Sequence, residues 1–232
     1  MLSALRLPVR IAEGTKAKLE FDYACGRGHS FGEYHVHGVV NEILCSNLDP
    51  TQHRVASGFA HPCLQTDGAH GRPREVDFAV SSFASSTHQF YAEVKWAGSS
   101  HCSQENLLRD LCRLQLIKNA EPTTECVFVL AGQSDDIDKL FVDGILVNGT
   151  QCLLHRPNHT ARLTERGRVK RTKTFLLKEN VDHAAQLERI YANISRKLPS
   201  VPDRICTYLT RSTQSASTGV RFQALVWAME LY

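Results

Sequence analysis

The stretch that decides the fold is QFYAEVKWAG, residues 89–98. Its aromatic and β-branched residues predict a β-strand. Glu93 and Lys95 lie two residues apart in this strand, so both side chains point to the same face of the sheet. An acid and an amine side by side on an otherwise apolar strand indicate a polar site built into a central strand.

Patterns on both sides of this stretch predict further helices and strands. The expected elements are a helix at 33–48, strands at 52–61, 74–82 and 89–98, a helix at 103–119 and a strand at 124–132. Ser30 followed by Glu33 has the spacing of a capping box, and Ser103 is the expected cap of the second helix. The last strand is a continuous apolar run after a helical crossover, so we expect it to be buried and to pair in parallel.

The flanking regions carry weaker patterns. We expect a short strand at 17–24, a helix running into a strand at 136–149 and a helix at 181–198. Residues 203–212 and 219–231 fit two closing strands, although the second also fits a helix. The chain therefore divides into 1–140, a core with an N-terminal extension, and 141–232, a basic segment, a helix and closing strands packed on the same domain.

The composition is that of an ordinary globular protein. Of 232 residues, 42% are hydrophobic and 22% charged, and the net charge of +3 permits nucleic acid as a partner without requiring it. The eight cysteines are scattered singly, which is unlike a disulfide framework. With no signal-peptide or transmembrane pattern, we expect a reduced, cytoplasmic protein that does not contact membranes.

The two middle strands bring two carboxylates together if they pair. A short polar connection joins them, so we expect antiparallel neighbours that place Asp77 close to Glu93. Two carboxylates and a backbone carbonyl are the oxygen ligands that Mg²⁺ prefers. A divalent ion there can activate water for attack on a phosphodiester, while the Lys95 ammonium stabilises charge on the phosphate.

Asp77, followed by Glu93-Val94-Lys95 in a helix–strand–strand–strand–helix–strand frame, resembles the PD-(D/E)XK nuclease superfamily. The resemblance covers residues 30–132 and implies an α/β fold with a restriction-endonuclease-like αβββαβ core and a mixed sheet, followed here by a C-terminal α+β extension. It implies a Mg²⁺- or Mn²⁺-dependent deoxyribonuclease in which Asp77, Glu93 and the Val94 carbonyl bind the ion and Lys95 positions or activates the water. Val76 stands where the family's name has proline.

Members of the superfamily often add an acid from the first helix, and two candidates exist. Glu33 lies about 50° from the centre of that helix's apolar face and Glu42 about 130°, so Glu33 is favoured. The competing interpretation is that Glu33 only closes the capping box on Ser30. His37 lies on the same flank as Glu33, whereas His35 and His37 cannot grip one ion together, so no zinc site is expected.

A basic run in the second half of the chain is the candidate DNA-contacting segment. Its candidate residues are Arg162, Arg166, Arg168, Lys170, Arg171 and Lys173. Arg109 and Arg113 are expected on the polar side of the second helix, facing away from its leucine stripe, more as surface charges than as phosphate contacts. DNA is the expected partner, with a second copy of the chain or a defence or repair protein as further candidates.

Two functions follow from these patterns. The first is hydrolysis of DNA phosphodiester bonds in restriction, phage defence or DNA repair. The alternative is a catalytically inactive module with the same fold that binds nucleic acid or assembles with proteins. The trio of Asp77, Glu93 and Lys95 is complete, which favours the enzyme.

Overall fold

A computed structural model of the chain describes residues 6–65, 73–85, 87–142, 144–146, 184–214 and 219–231, and the backbone of 172–176. Five helices and seven strands lie within these ranges. They are α1 (Leu7–Ala24), α2 (Glu33–Asn47), β1 (His53–Ala60), β2 (Glu75–Ser82), β3 (His88–Trp96), α3 (Gln104–Ala120), β4 (Glu125–Gln133), α4 (Ser134–Lys139), β5 (Thr172–Leu176), α5 (Ala184–Ser195), β6 (Arg204–Arg211) and β7 (Phe222–Met229). No helix in the described ranges is both long and apolar enough to cross a membrane.

The seven strands form one mixed sheet in the order β1-β2-β3-β4-β7-β6-β5. β3 and β4 run parallel, as the sequence predicts for two strands joined through α3, and every other neighbouring pair is antiparallel. From α2 to β4 the elements follow the predicted order of helix, three strands, helix and strand. The two closing strands are confirmed as β6 and β7, and the sheet runs through them without interruption.

Helices cover both faces of this sheet, which is why its central strands are apolar on both sides. α1 and α2 pack on one face, where Val36, Val40 and Leu44 of α2 are fully buried. α3 and α5 pack on the other face. Along β3, Val94 belongs to the first core and Tyr91 to the second. Glu93 and Lys95 lie two and four residues after Tyr91, so their side chains point to the same face, the one covered by α3.

One prediction outside the core strands is wrong. Residues 17–24, expected as a strand, belong to helix α1, because Ile11, Thr15 and Leu19 are buried at helical spacing. The segment 136–149, expected as a helix running into a strand, does contain a helix, α4, which ends at Lys139. Residues 144–146 form a turn, and the rest of the expected strand, 147–149, lies outside the described residues.

The start of α2 also differs from the prediction. Gly32 is the N-cap and no side chain caps the helix. The Ser30 hydroxyl instead donates a hydrogen bond to the Arg27 carbonyl. The capping box is therefore absent, and the Glu33 carboxylate at the first helical position is available for a contact outside its own helix.

Candidate active site

The strands β2 and β3 separate at the position of the two predicted carboxylates. Their paired register begins at Phe78 and Ala92, so Asp77 and Glu93 occupy the next step on neighbouring antiparallel strands, as predicted. The Asp77 Oδ2 atom accepts a hydrogen bond from the Val94 backbone N–H at 2.7 Å. This bond fixes the Asp77 side chain against β3 at the point where the backbone pairing ends.

A local irregularity in β1 lies next to this point. Gly58 lies between the pairs Ser57–Phe78 and Phe59–Val76, opposite Asp77, and has a φ of +69° that L side chains rarely adopt. Val76 packs in the α3–α5 core whereas Phe78 packs in the α1–α2 core. Regular strand alternation would place Val76 on the same face as Phe78 and Val80, so the alternation is broken at Asp77.

The helix acid next to the strand lysine is Glu33. Its Oε1 atom lies 2.9 Å from the Lys95 Nζ atom. Glu42 is exposed, as the angles around the helix predict. His37, one turn after Glu33, places its Nε2 atom 3.6 Å from Asp77 Oδ2. Of the two candidate acids, the structure brings only Glu33 to the predicted site.

Helix α3 supplies two residues that the sequence analysis did not place here, Asp110 and Arg113. Asp110 is 1% exposed, with its Oδ2 atom 3.7 Å from Lys95 Nζ. The Arg113 Nη1 atom lies 2.8 Å from Glu93 Oε1 and 3.2 Å from Asp110 Oδ1. The prediction that Arg113 faces away from the core is wrong, because its long side chain reaches back to the sheet.

A sequence signal for Asp110 exists. Leu107 and Leu114 lie three residues before and four residues after it, so Asp110 borders the leucine stripe that packs on the sheet. In the middle of a helix, an acid next to the apolar stripe is buried. A buried carboxylate is costly without a cationic partner. Arg113 carries no comparable signal, since only its length brings the guanidinium to Glu93.

The surroundings shift the pKa values of Glu93 and Lys95, the two charged residues of β3 at the site. Burial raises the pKa of Glu93 well above its usual value, the Arg113 guanidinium opposes this, and Asp110 and Asp77 add to it. Burial alone would lower the pKa of Lys95, but the carboxylates of Asp110, Asp77 and Glu33 outweigh it and raise that pKa. Lys95 is therefore an ammonium at neutral pH, able to donate hydrogen bonds but not to accept a proton.

The residues present suit a divalent cation. The Glu93 Oε1 and Asp110 Oδ2 atoms are buried and accept no hydrogen bond within the described part of the chain, although each is ion-paired, to Arg113 and to Lys95. When all are ionised, the four carboxylates outnumber the nearby cations Lys95, Arg109 and Arg113. In the described ranges no group of three or more His, Cys, Asp and Glu side chains is arranged to hold an ion by itself. An ion at Asp77 and Glu93 would thus depend on a backbone carbonyl and water as well.

The predicted DNA-contacting residues are placed only in part. Arg162, Arg166, Arg168, Lys170 and Arg171 lie outside the described residues. Lys173 lies in β5, an edge strand of the sheet, where the backbone alone is described. The assignment of this basic segment to DNA stays a prediction.

Comparison with known proteins gives no relative. No protein-family model, curated protein or solved structure matches the chain at the significance required. The geometry of the site is therefore the guide to its function. Glu33 contacts Lys95, and Asp77 and Glu93 lie at neighbouring positions of β2 and β3, with the side chain of Val94 fully buried beside them. The catalytic and metal-binding roles of these residues stay predictions.

Proposed function

We propose that this protein is a metal-dependent deoxyribonuclease with a restriction-endonuclease-like core of the PD-(D/E)XK type. The observation that carries the proposal is the convergence of one ammonium and four carboxylates where β2 and β3 separate. Lys95 lies 2.9 Å from Glu33 and 3.7 Å from Asp110, with Asp77 and Glu93 on the two separating strands. Restriction, phage defence and DNA repair are the settings in which such an activity is used.

The order of elements supports this core. α2, β1, β2, β3, α3 and β4 follow one another with β3 and β4 parallel, and Asp77 and Glu93-Val94-Lys95 lie on the second and third strands. A three-residue pattern in a strand occurs often by chance. The same pattern beside a second acid on the adjacent strand and a third on the preceding helix is far more specific.

The roles of the residues follow from their positions. A divalent ion held by Asp77, Glu93 and the Val94 carbonyl would supply Lewis-acid activation of the phosphodiester and of water. The Val94 N–H orients Asp77 for this role. Lys95, held as an ammonium, stabilises negative charge that develops on the phosphate and orients the attacking water by donating a hydrogen bond.

Glu33 acts on the ammonium rather than on the phosphate. Its Oε1 atom accepts the hydrogen bond from Lys95 Nζ, which directs the remaining two ammonium protons towards the other carboxylates and the substrate. A carboxylate facing the phosphate directly would repel it. DNA is the proposed substrate because the basic run at 156–173 provides an excess of positive charge for the phosphate backbone.

Cleavage of DNA by the full chain tests the proposal. Purified wild type is incubated with duplex, single-stranded and branched DNA in Mg²⁺ or Mn²⁺, beside Asp77→Ala and Lys95→Ala variants. We expect cleavage by wild type that EDTA abolishes and that both variants lose by at least about a hundredfold. A wild type that is inactive on all three forms of DNA with both ions refutes the enzyme.

One observation favours the non-catalytic alternative. The Glu93 carboxylate is 1% exposed and already paired with Arg113, as in a purely structural ion pair inside a protein. If that pair is only structural, the chain binds nucleic acid or a partner protein without cleaving. Retained DNA binding by a wild type that does not cleave would support this second function.

A further inference from the structure

The two Nη atoms of the Arg113 guanidinium contact oxygen atoms, while its buried Nε atom has no hydrogen-bond partner within the described residues. Its Nη1 atom lies 2.8 Å from Glu93 Oε1 and 3.2 Å from Asp110 Oδ1, and Nη2 donates to the Glu75 backbone carbonyl. Two carboxylates and one backbone carbonyl are the type of ligand set that hard divalent cations select. The guanidinium therefore occupies a position that has the chemistry of a cation site, on the α3 side of Glu93.

The charges around this position can be counted. The carboxylates are Glu33, Asp77, Glu93 and Asp110, and the cations are Lys95, Arg113 and Arg109, which lies 3.5 Å from Asp110. The Arg109 side chain is 28% exposed and that of Glu33 is 31% exposed, so both are counted. With all four carboxylates ionised, as the ligands of a cation must be, four negative and three positive charges leave a net charge of −1.

A net charge of −1 favours one divalent ion over two. Uncompensated charge is costly inside a protein, and one M²⁺ ion brings the cluster only to +1 while Arg113 stays in place. A second divalent ion would bring the cluster to +3 and would compete with the guanidinium for the same oxygens. An arginine cannot lose its charge by deprotonation, so it remains a permanent competitor.

We propose that the site binds one divalent cation per chain, because Arg113 permanently fills the second cation position between Glu93, Asp110 and the Glu75 carbonyl. The inference rests on the proposed function, in which Asp77 and Glu93 hold the first ion. The fixed guanidinium and one exchangeable ion then neutralise the two sides of Glu93. Arg113 is a positioning residue in this arrangement, since it acts on Glu93 and Asp110 rather than on the substrate.

Counting bound ions tests this inference. The metal-free full chain is titrated with Mn²⁺, and bound ions per chain are measured by calorimetry and by electron paramagnetic resonance of the free ion. We expect one ion for wild type and two for Arg113→Met, which removes the guanidinium and its positive charge from the carboxylates of Glu93 and Asp110. Arg109→Met is the matched control, since it removes a neighbouring charge without vacating the site, and it should still bind one ion.

Two results overturn the inference: two ions bound by wild type, or one ion bound by a folded Arg113→Met variant. Circular dichroism checks the fold. If Arg113→Met does not fold, Arg113→Gln replaces it, because the glutamine amide keeps a donor for the Glu75 carbonyl. The same result is expected, and a folded Arg113→Gln variant that binds one ion overturns the inference equally.

The failure of the proposed function would look different. If wild type binds one ion and Arg113→Met binds two, but wild type cleaves no DNA, the nuclease is refuted and the role of Arg113 stands. If wild type cleaves DNA while binding two ions, the nuclease stands and the role of Arg113 is refuted. A wild type that neither binds an ion nor cleaves refutes both.

Discussion

Glu33 and Lys95 meet at 2.9 Å although 62 positions separate them in the chain. One is the first residue of helix α2 and the other lies near the end of strand β3, so their contact joins a helix on one face of the sheet to the site on the other. Because Gly32 rather than a side chain forms the cap of α2, the Glu33 carboxylate is committed to Lys95 and not to its own helix. This contact carries the first prediction.

Glu33→Gln should lower the rate of DNA cleavage by about tenfold, since a charge-assisted hydrogen bond to Lys95 becomes a neutral one. Glu42→Gln on the exposed side of the same helix is the control and should cleave at the wild-type rate. The measurement is the initial rate of plasmid cleavage in Mg²⁺. Equal rates for the two variants would show that the Glu33–Lys95 contact is not part of the reaction.

Asp77→Asn should separate folding from activity. The asparagine oxygen still accepts the Val94 N–H bond, so the free energy of unfolding should change by less than about 1 kcal/mol, whereas Asp77→Ala leaves that N–H unpaired at a cost of about 1–2 kcal/mol. Both variants should lose cleavage. Urea unfolding and the cleavage assay give the two values. An active Asp77→Asn would contradict a role for this carboxylate as a metal ligand.

The raised pKa of Glu93 predicts how stability depends on pH in the absence of metal. Its folded-state pKa lies above its unfolded value, so the folded protein keeps a proton that the unfolded chain releases as the pH rises above about 4.5. Wild type should therefore lose stability relative to Glu93→Gln between about pH 4.5 and the raised pKa. Thermal unfolding in EDTA across this range measures the difference. A difference that is constant or grows in favour of wild type would contradict the raised pKa.

Asp110 should be important for stability as well as for the site. Asp110→Ala removes a buried partner of Lys95 and Arg113 and should cost about 3 kcal/mol of unfolding free energy. Asp136→Ala breaks an ion pair with Lys139, whose side chain is 74% exposed, and should cost less than about 0.5 kcal/mol. Chemical unfolding of both variants makes the comparison. Equal losses would mean that Asp110 is not an ion partner inside the fold.

The sequence predicted the core elements because their periodicity is strong. The leucines of α3 have only helical spacing, and the uninterrupted apolar run of β4 is typical of a buried strand. Ser103 caps α3 as expected, since its hydroxyl accepts a hydrogen bond from the Asn106 N–H. The strand pairing that brings Asp77 beside Glu93 followed from the short connection between their strands. These features are local, or depend on one short connection, so a single sequence is enough to infer them.

The contacts between distant elements could not be predicted in the same way. Arg113 reaches Glu93 only because α3 packs on the particular stretch of sheet that carries the site, and helical angles alone place it on the outside. The break in strand alternation between Val76 and Phe78 lies opposite Gly58 of the neighbouring strand, which has a positive φ. The hydrophobic pattern of one helix or strand shows which of its faces is buried, but not which polar partners a neighbouring element supplies.

The central claim is that Asp77 and Glu93 together hold a divalent ion. Crystals of the protein soaked in Mn²⁺ test it directly through the anomalous difference density at this position. The account predicts one peak between the two carboxylates, about 2.0–2.3 Å from an oxygen of each, with Arg113 still in contact with the far side of Glu93. Crystals at saturating Mn²⁺ with no peak there, and with Glu93 bound only by Arg113, would contradict it.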